Sequence, residues 1–269
     1  VSVITPTYNS EKTIVKTLKS ILDQSYLNFE VIIVDNSPNN KTINEIYKYF
    51  KKMDKIKIIK IKKYILPAEA RNIGVKNTSR YSKYISFCDS DDILKRDKTK
   101  IQLYKMLEEN LEISCTNADF YNVKNKTYKK SYIEYPFLNI DFDNLCFKNM
   151  IITSSVIVSK KLFLSVKGFS VSKYYYSYED YYLWIKISQK SKIFFLDESL
   201  LIYKGNREGS ASTKSKHIVN QRVRILLNFL SRLEIRKSMI ICIANFKLLK
   251  KWLESKFLNN NNNEYINLL

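Results

Sequence analysis

The sequence predicts an α/β fold in which a mostly parallel central sheet is flanked by helices, followed by a basic helical extension. Short β-rich runs alternate with segments of helical periodicity through the first ninety residues. This alternation is typical of βαβ units with parallel strands. In addition, polar clusters directly follow three of the predicted strands, and basic and apolar residues are interleaved beyond Lys216.

The first βαβ unit is predicted from local patterns. Val1 to Thr5 is rich in β-branched residues, and Phe29 to Val34 is apolar at every position but Glu30, which indicates a strand buried on both faces. Ser10 is a candidate N-cap for the helix between them. The apolar residues of that helix recur at helical spacing: Ile14, Leu18, Ile21 and Leu22.

Four further elements complete the predicted first half. A helix from about Lys41 to Lys51 leads to a strand at Ile56 to Ile61. Pro67 is expected to open a helix through Val75, because proline is favoured in the first helical turn. Tyr84 to Cys88 is the fourth predicted strand.

The second half is less regular. Ile151 to Val158 predicts a buried strand, and Tyr178 to Gln189 predicts a helix. Ile193 to Leu196 and Leu200 to Tyr203 predict two short strands, and Asn259 to Asn263 is a polar tract typical of a tail.

Composition limits the function classes. The 46 Lys and Arg against 26 Asp and Glu give a net charge of +20, which favours polyanionic partners such as nucleic acid, anionic membranes or phosphorylated substrates. The abundance of Lys, Asn, Ile and Tyr is also what A and T codon bias produces, so the charge is a weak signal. With four glycines, the chain has neither a G-x-G-x-x-G motif nor a Walker loop.

The histidine and cysteine content limits the kinds of metal site and disulfide that the chain can form. A single histidine, His217, excludes a His-rich metal site. The four cysteines are widely spaced in apolar surroundings, which predicts buried thiols of a reducing compartment; they are Cys88, Cys115, Cys146 and Cys242. No apolar run reaches the ~18 residues of a membrane helix, the longest being Met239 to Ala244, and we expect no signal peptide.

The segment Asp89-Ser-Asp-Asp92 concentrates three carboxylates after a strand. On an extended chain Asp89 and Asp91 face one side while Ser90 points away. Convergent carboxylates without histidine suit a hard cation such as Mg²⁺ or Mn²⁺, shared with substrate phosphates. The alternative, capping of the next helix, explains one or two of the acids, and we assign Asp92 to it.

A second acidic pair, Glu179-Asp180, follows a tyrosine-rich segment and opens a predicted amphipathic helix. A carboxylate held against aromatic rings is partly desolvated, which suits a general base. The alternative is helix N-capping, and the motif alone favours that alternative.

The three polar clusters that follow strands are expected on one rim of the sheet; they are Thr5 to Asn9, Asp35 to Ser37 and Asp89 to Asp92.

Together these motifs resemble the family 2 inverting glycosyltransferases of GT-A fold, of the bacterial surface-polysaccharide or lipooligosaccharide type, with a Rossmann-like sheet. The resemblance is dense over about ninety residues and sparse to about Ser212. The matching pieces are Val1-Ser-Val-Ile-Thr-Pro-Thr-Tyr-Asn9, Ser20-Ile-Leu-Asp-Gln-Ser25, Phe29-Glu-Val-Ile-Ile-Val-Asp-Asn-Ser37, Ala70-Arg-Asn-Ile-Gly74, Ile85-Ser-Phe-Cys-Asp-Ser-Asp-Asp92, and Glu179-Asp180 before Leu183-Trp184.

The resemblance implies roles for individual residues. Asp180 would be the catalytic base, and Asp89 with Asp91 would form the D-x-D element that contacts ribose and a divalent metal, Mn²⁺ or Mg²⁺. The donor nucleotide would be held by Thr5, Pro6, Tyr8, Asn9, Asp35, Asn36, Arg71, Asp89 and Ser90. Acceptor or supporting contacts would come from Glu179, Trp184, Asn206 and Arg207.

Two departures from the family pattern stand out. Many members carry two aspartates after the second strand, whereas here Asp35 is followed by Asn36. Many also place a histidine just after the strand matching Leu201 to Tyr203. This chain has Lys204-Gly-Asn-Arg-Glu-Gly-Ser210 instead, in which Asn206 or Arg207 would substitute.

The expected function is therefore metal-dependent, inverting transfer of a sugar from a nucleotide-diphosphate donor, a UDP-sugar, to a hydroxyl of a glycan or lipid-linked glycan. The expected organisation is a catalytic domain at 1–213, divided into a nucleotide-binding half (1–92) and an acceptor half (93–213), then a basic helical extension (214–258) and a polar tail (259–269). The extension would contact anionic lipid or cover the end of the sheet, placing the protein in the cytoplasm or on the inner face of the plasma membrane.

Two other functions compete with this one. A sugar-phosphate nucleotidyltransferase shares the architecture but usually has a glycine-rich N-terminal loop, and Thr5 to Ser10 contains no glycine. A non-enzymatic protein that binds nucleic acid or anionic membranes would concentrate its basic residues on one face. Here they are spread along the chain, so no nucleic-acid partner is expected.

Overall fold

A computed structural model describes residues 1–50, 54–134 and 138–205. The strands are β1 (Ser2–Thr7), β2 (Glu30–Asp35), β3 (Ile56–Lys60), β4 (Tyr84–Phe87), β5 (Ile93–Leu94), β6 (Ile113–Asn122), β7 (Thr127–Lys129), β8 (Asn139–Ile140), β9 (Ile157–Ser159) and β10 (Ile193–Gly205). The α-helices are α1 (Ile14–Leu22), α2 (Lys41–Tyr49), α3 (Pro67–Lys76), α4 (Lys98–Glu108), α5 (Phe142–Phe147), α6 (Lys160–Ser165) and α7 (Glu179–Ser188); 3₁₀ turns span Thr153–Ser155 and Lys173–Tyr175.

The strands form one mixed sheet in the order β3-β2-β1-β4-β9-β6-β10-β5, with β7 paired to β6 and β8 to β10. Strands β3, β2, β1 and β4 are parallel neighbours, and β6 runs parallel to β10. The antiparallel strand β9 lies between these two parallel groups. The predicted α/β architecture with a mostly parallel central sheet flanked by helices is confirmed.

Both faces of the sheet are buried, as the continuous apolar character of the strands predicts. Alternate residues of β2 enter different cores, because successive side chains of a strand point to opposite faces. Ile32 packs in the larger core with α3 and α7, whereas Val31 and Ile33 pack against α1 and α2. Cys88, Cys115 and Cys146 are buried, as predicted.

Helix α3 lies unusually close to β1. A Cβ atom on Gly74 would overlap the Cγ2 atom of Ile4, so only glycine allows this approach. Pro67 occupies the first turn of the helix, as predicted. The same buried face carries Arg71, which the close packing holds near the ends of β1 and β4.

Four local predictions are wrong. Helix α1 begins at Ile14 with Thr13 as N-cap, and Ser10 supplies only its backbone carbonyl. The predicted strand from Ile151 to Val158 is a 3₁₀ turn followed by the short β9. The two predicted strands after Lys192 are one strand, β10, with two register shifts. Helix α4 begins at Lys98 with Asp97 as N-cap, so Asp92 does not cap it.

Several predictions concern residues outside the described ranges. These are the roles of Asn206, Arg207 and His217, the thiol of Cys242, the basic helical extension and the polar tail. Within the described residues, the helices are too short or too polar to cross a bilayer.

Candidate active site

The carboxyl ends of β1, β2 and β4 meet at one edge of the sheet, because the three strands are parallel neighbours. A cavity of about 1020 Å³ opens at this edge. Residues from all three strand ends line it, together with residues from the second half of the chain, including Thr153, Glu179 and Asp180. The predicted placement of the three polar clusters on one rim is confirmed.

The loop after β1 is held by side chains of neighbouring elements. The Asn9 N–H donates to the Ser37 hydroxyl at 2.9 Å, and the Ser10 N–H donates to the Thr42 hydroxyl at 3.0 Å. Asn9 adopts a left-handed conformation with φ of 50°, which asparagine tolerates well. Pro6, Tyr8 and Asn9 therefore line the cavity from a fixed backbone.

Two predicted nucleotide-binding residues lie behind this wall and do not line the cavity. Asp35 is fully buried; its Oδ1 accepts from the Thr7 and Ser37 hydroxyls, and its Oδ2 accepts from Lys60 Nζ at 2.7 Å. The Thr5 hydroxyl is buried without a hydrogen-bond partner among the described residues. Asn36 does reach the cavity and donates to the Ile65 carbonyl at 3.0 Å.

The segment from Asp89 to Asp92 is a turn, closed by the Asp92 N–H donating to the Asp89 carbonyl at 3.1 Å. All four residues of the turn line the cavity, so the expectation that Ser90 points away is wrong. The alternation of an extended strand does not apply within a turn. The Ser90 hydroxyl is hydrogen-bonded to the Ser10 hydroxyl at 2.8 Å, which joins the turn to the loop after β1.

Asp92 is the most enclosed carboxylate of the turn. Its Oδ2 accepts from the Ser154 hydroxyl at 2.6 Å, and its Oδ1 accepts from the Lys204 N–H at 3.0 Å. Burial raises the pKa of Asp92 well above its ordinary value, and repulsion from Asp91 and Asp89 adds to the effect. Asp92 thus ties the acidic turn to β10.

Arg71 connects the acidic turn to the Glu179-Asp180 pair. Its Nη2 donates to Asp89 Oδ1 at 2.7 Å, its Nη1 donates to Glu179 Oε1 at 3.3 Å, and its guanidinium lies 5.3 Å from the centre of the Phe169 ring. Burial alone would lower the pKa of Arg71, but the neighbouring carboxylates outweigh it and raise that pKa. Arg71 therefore stays a cation.

Asp180 lies in the first turn of α7. It is not the N-cap, which is Tyr178, although its carboxylate accepts from an N–H of the first helical turn. The Thr153 hydroxyl donates to its Oδ2 at 3.2 Å, and the Tyr181 N–H donates to its Oδ1 at 2.6 Å. Desolvation, followed by repulsion from Glu179, raises the pKa of Asp180 to about 6, against the opposing effect of Arg71. This pKa suits a general base near neutral pH.

The remaining two predicted residues differ in their placement. Glu179 lines the cavity, and its Oε2 is buried with no hydrogen-bond partner among the described residues. Trp184 is fully buried in the core and stacks edge-on against Phe169, the ring beneath Arg71. Trp184 therefore supports the site from behind and does not face an acceptor.

The chemistry of the acidic turn fits a divalent metal. Asp89 and Asp91 offer hard carboxylate oxygens in a like-charged turn, the donors that Mg²⁺ and Mn²⁺ favour. Across the described parts of the chain, no group of three His, Cys, Asp or Glu side chains is arranged to enclose a metal.

Three residues in or behind the cavity wall were missed by sequence reasoning. Thr153 and Ser154 fell inside a predicted strand, and their contacts to Asp180 and Asp92 join residues 27 and 62 positions apart. Tyr64 lies in the loop between β3 and α3 and faces the cavity beside Tyr8. The chain has 20 tyrosines, and no local signal distinguishes this one.

The family model "Glycosyl transferase family 2" matches residues 2–164, more than half of the chain. The chain belongs to glycosyltransferase family 2. An uncharacterized glycosyltransferase of Rickettsia conorii is 36% identical over 203 residues, which cover 74% of this chain and 32% of the relative. This family 2 chain therefore spans about a third of the length of that relative.

A second relative matches this family 2 chain over most of both lengths. It is the Escherichia coli UDP-Glc:α-D-GlcNAc-diphosphoundecaprenol β-1,3-glucosyltransferase WfgD, 27% identical over 82% of this chain and 83% of the relative. Among solved structures, the chain resembles residues 1–349 of Staphylococcus aureus TarS in complex with UDP-GlcNAc, with a TM-score of 0.72 and 22% sequence identity. The match covers 91% of this chain and 72% of TarS 1–349. The structural match confirms the fold.

Proposed function

We propose that this chain transfers a sugar from a nucleotide-diphosphate donor, a UDP-sugar, to a hydroxyl of a glycan or lipid-linked glycan, with inversion at the anomeric carbon. One observation carries the proposal: a carboxylate of raised pKa, Asp180, and the acidic turn Asp89 to Asp92 line the same cavity and are joined through Arg71 and Glu179. Membership of glycosyltransferase family 2 supports it.

Asp180 would act as the general base. With a pKa of about 6 it is ionised at pH 7 and above, yet basic enough to accept a proton from an acceptor hydroxyl as that oxygen attacks. The Thr153 hydroxyl and the Tyr181 N–H fix the orientation of the carboxylate. One direct displacement forms the new glycosidic bond, breaks the bond to the diphosphate and inverts the anomeric carbon.

The donor would lie along the carboxyl ends of β1, β2 and β4. Tyr8, Asn36 and Ser90 are exposed to the cavity where a base and ribose would bind, with Pro6 and Asn9 beside them. Thr5 and Asp35 would act from behind this wall by fixing its shape. The UDP-Glc in the name of WfgD and the UDP-GlcNAc bound to TarS support a UDP-sugar as donor.

Asp89 and Asp91 would hold Mn²⁺ or Mg²⁺ together with the donor diphosphate. When bound, the metal supplies Lewis-acid stabilisation of the charge on the departing diphosphate. Arg71 holds Asp89 at 2.7 Å and so fixes one carboxylate of this pair. Asp92 supports the turn through Ser154.

For the wider organisation we propose what the sequence predicts: a catalytic domain at 1–213, a basic extension at 214–258 and a polar tail. The diphosphoundecaprenol acceptor of WfgD supports a lipid-linked acceptor and a peripheral position on the membrane. Flotation of the full chain with anionic and zwitterionic vesicles tests the membrane contact. We expect binding to anionic vesicles alone, weakened by salt; equal flotation with both would contradict it.

The enzymatic proposal is tested by incubating the full chain with a panel of UDP-, GDP- and dTDP-sugars, with Mn²⁺ and with EDTA. We expect thermal stabilisation by at least one UDP-sugar, and metal-dependent release of UDP. A chain that responds to no nucleotide-sugar is not a glycosyltransferase of this kind. Release that persists in EDTA would remove the metal from the mechanism.

A further inference from the structure

Two tyrosine rings meet at the donor end of the cavity, and we call them the aromatic corner: Tyr8 after β1 and Tyr64 between β3 and α3. Their ring centres lie 5.4 Å apart with an interplanar angle of 83°, an edge-to-face contact. Both rings line the cavity, yet Tyr8 is 48% exposed and Tyr64 is 61% exposed. The corner therefore presents open aromatic surface to whatever occupies the cavity.

The backbone on each side of the corner is anchored. The Tyr8 N–H donates to the Ser10 hydroxyl at 3.2 Å, and the next N–H in the chain is held by Ser37. On the other side, Ile65 follows Tyr64 and is buried, and its carbonyl accepts from Asn36 Nδ2 at 3.0 Å. Asn36 lines the cavity beside the rings, so a polar amide borders the aromatic corner.

Exposure alone does not distinguish these tyrosines, because Tyr47 and Tyr81 are 57% and 75% exposed. What distinguishes Tyr8 and Tyr64 is that they contact each other inside a cavity, at the carboxyl ends of parallel strands, beside Asn36. A planar ligand that stacks on one of these rings meets the other with its edge. Stacking on aromatic side chains is the usual way in which proteins hold a nucleobase without reading its sequence.

Tyr64 is also connected to the segment that leads to Asp180. Desolvation raises the pKa of Tyr64, and its interaction with Tyr176 raises that pKa further. Tyr176 lines the same cavity four residues before Asp180, and the intervening Ser177 has a φ of 69°. Tyr64 thus contacts Tyr8 and interacts with Tyr176.

We propose that Tyr64 is a second nucleobase-binding residue, which forms with Tyr8 the stacking site for the base of a nucleoside diphosphate. This inference rests on the proposed function, since it concerns the donor of that reaction. The ring of Tyr64 supplies the stacking surface, and Asn36 supplies hydrogen bonds to the edge of the base. Because the ring of Tyr64 would contact the base, its loss should weaken binding of the base more than binding of the diphosphate.

The test compares UDP with inorganic pyrophosphate, which lacks the base, as ligands of the full chain in the presence of Mn²⁺. Titration calorimetry is run on wild type, Tyr64→Ala, Tyr64→Phe and the control Tyr81→Ala. Tyr81 is an exposed tyrosine that stacks on Arg80 and does not line the cavity. We expect Tyr64→Ala to weaken UDP about tenfold or more and to leave pyrophosphate within about twofold.

Tyr64→Phe keeps the ring and should bind UDP within about twofold of wild type, as should Tyr81→Ala. The inference is overturned if Tyr64→Ala binds UDP like wild type, or if it weakens UDP and pyrophosphate by the same factor. A wild-type chain that binds UDP but transfers no sugar contradicts the proposed function alone. A wild-type chain that binds no nucleoside diphosphate overturns both.

Discussion

Replacing Arg71 with methionine should shift the pH dependence of the reaction as well as reduce stability. Methionine fills a similar space over the Phe169 ring but cannot pair with Asp89 or Glu179. Arg71 lowers the pKa of Asp180, which stands at about 6 in its presence. Removing the cation therefore raises that pKa, and more of the base is protonated at any given pH.

The size of this effect depends strongly on pH. If the pKa of Asp180 rises by about one unit, the ionised fraction at pH 7 falls only about twofold, whereas at pH 6 it falls about fivefold. The acidic limb of the kcat/KM profile should therefore move to higher pH by about one unit. Activity should recover toward a plateau above about pH 8.

The same change removes one partner of a buried ion-pair network. The side chains of Arg71 and Glu179 are 7% and 12% exposed, but Asp89 is 34% exposed and is partly solvated. Breaking a fully buried ion pair lowers the free energy of unfolding by about 3–5 kcal/mol. Because water partly solvates Asp89, we expect a loss near the lower end of this range, about 3 kcal/mol. Urea unfolding measures it, and measurements at 10 °C keep the variant folded for the kinetic assay.

Two controls separate the electrostatic effect from damage to the fold. Arg71→Lys retains a cation and should keep the acidic limb within a few tenths of a pH unit of wild type, despite weaker pairing. Arg80→Met removes an exposed arginine that stacks on Tyr81 and should change neither quantity. An Arg71→Met enzyme with reduced activity but an unshifted acidic limb would refute the electrostatic role.

Two further predictions concern the residues that hold the site in place. Ser154→Ala removes the hydroxyl that donates to Asp92 and accepts from the Asp89 N–H. It should lower the free energy of unfolding in urea by about 1–3 kcal/mol. A loss below about 0.5 kcal/mol, the level expected for the exposed control Ser165→Ala, would contradict the contact. Gly74→Ala should lower the free energy of unfolding by about 1–3 kcal/mol, because the added Cβ overlaps Ile4. This loss outweighs the preference of alanine for helices. A variant more stable than wild type would show that α3 does not lie so close to β1.

The sequence predicts the first half of the fold well because its signals are local. The apolar runs of β1, β2, β3 and β4 and the proline of α3 each stand within a few residues of the element they specify. The parallel order then follows from βαβ units, and with it the meeting of three strand ends at one rim. The predicted rim is confirmed for that reason.

The second half is predicted poorly because its strands depend on distant contacts. Strand β6 is polar for a buried strand, and its Asn117 is satisfied by the Ile133 carbonyl at 2.8 Å and by Asp197 at 2.6 Å. Such pairings carry no periodic signal. Asp92 illustrates the same limit, since its contacts to Ser154 and Lys204 lie 62 and 112 residues away in sequence.

The most direct test of the proposed reaction is replacement of the base, Asp180→Asn. Asparagine can still accept from the Tyr181 N–H with its Oδ1, and its Nδ2 can donate to the Thr153 hydroxyl, which then acts as the acceptor, so the local structure should persist. We expect transfer from the UDP-sugar donor to fall by at least about 100-fold, the lower end for loss of a general base, while the Kd for UDP with Mn²⁺ stays within about twofold of wild type. Transfer at the wild-type rate, with UDP still bound, would show that Asp180 is not the catalytic base.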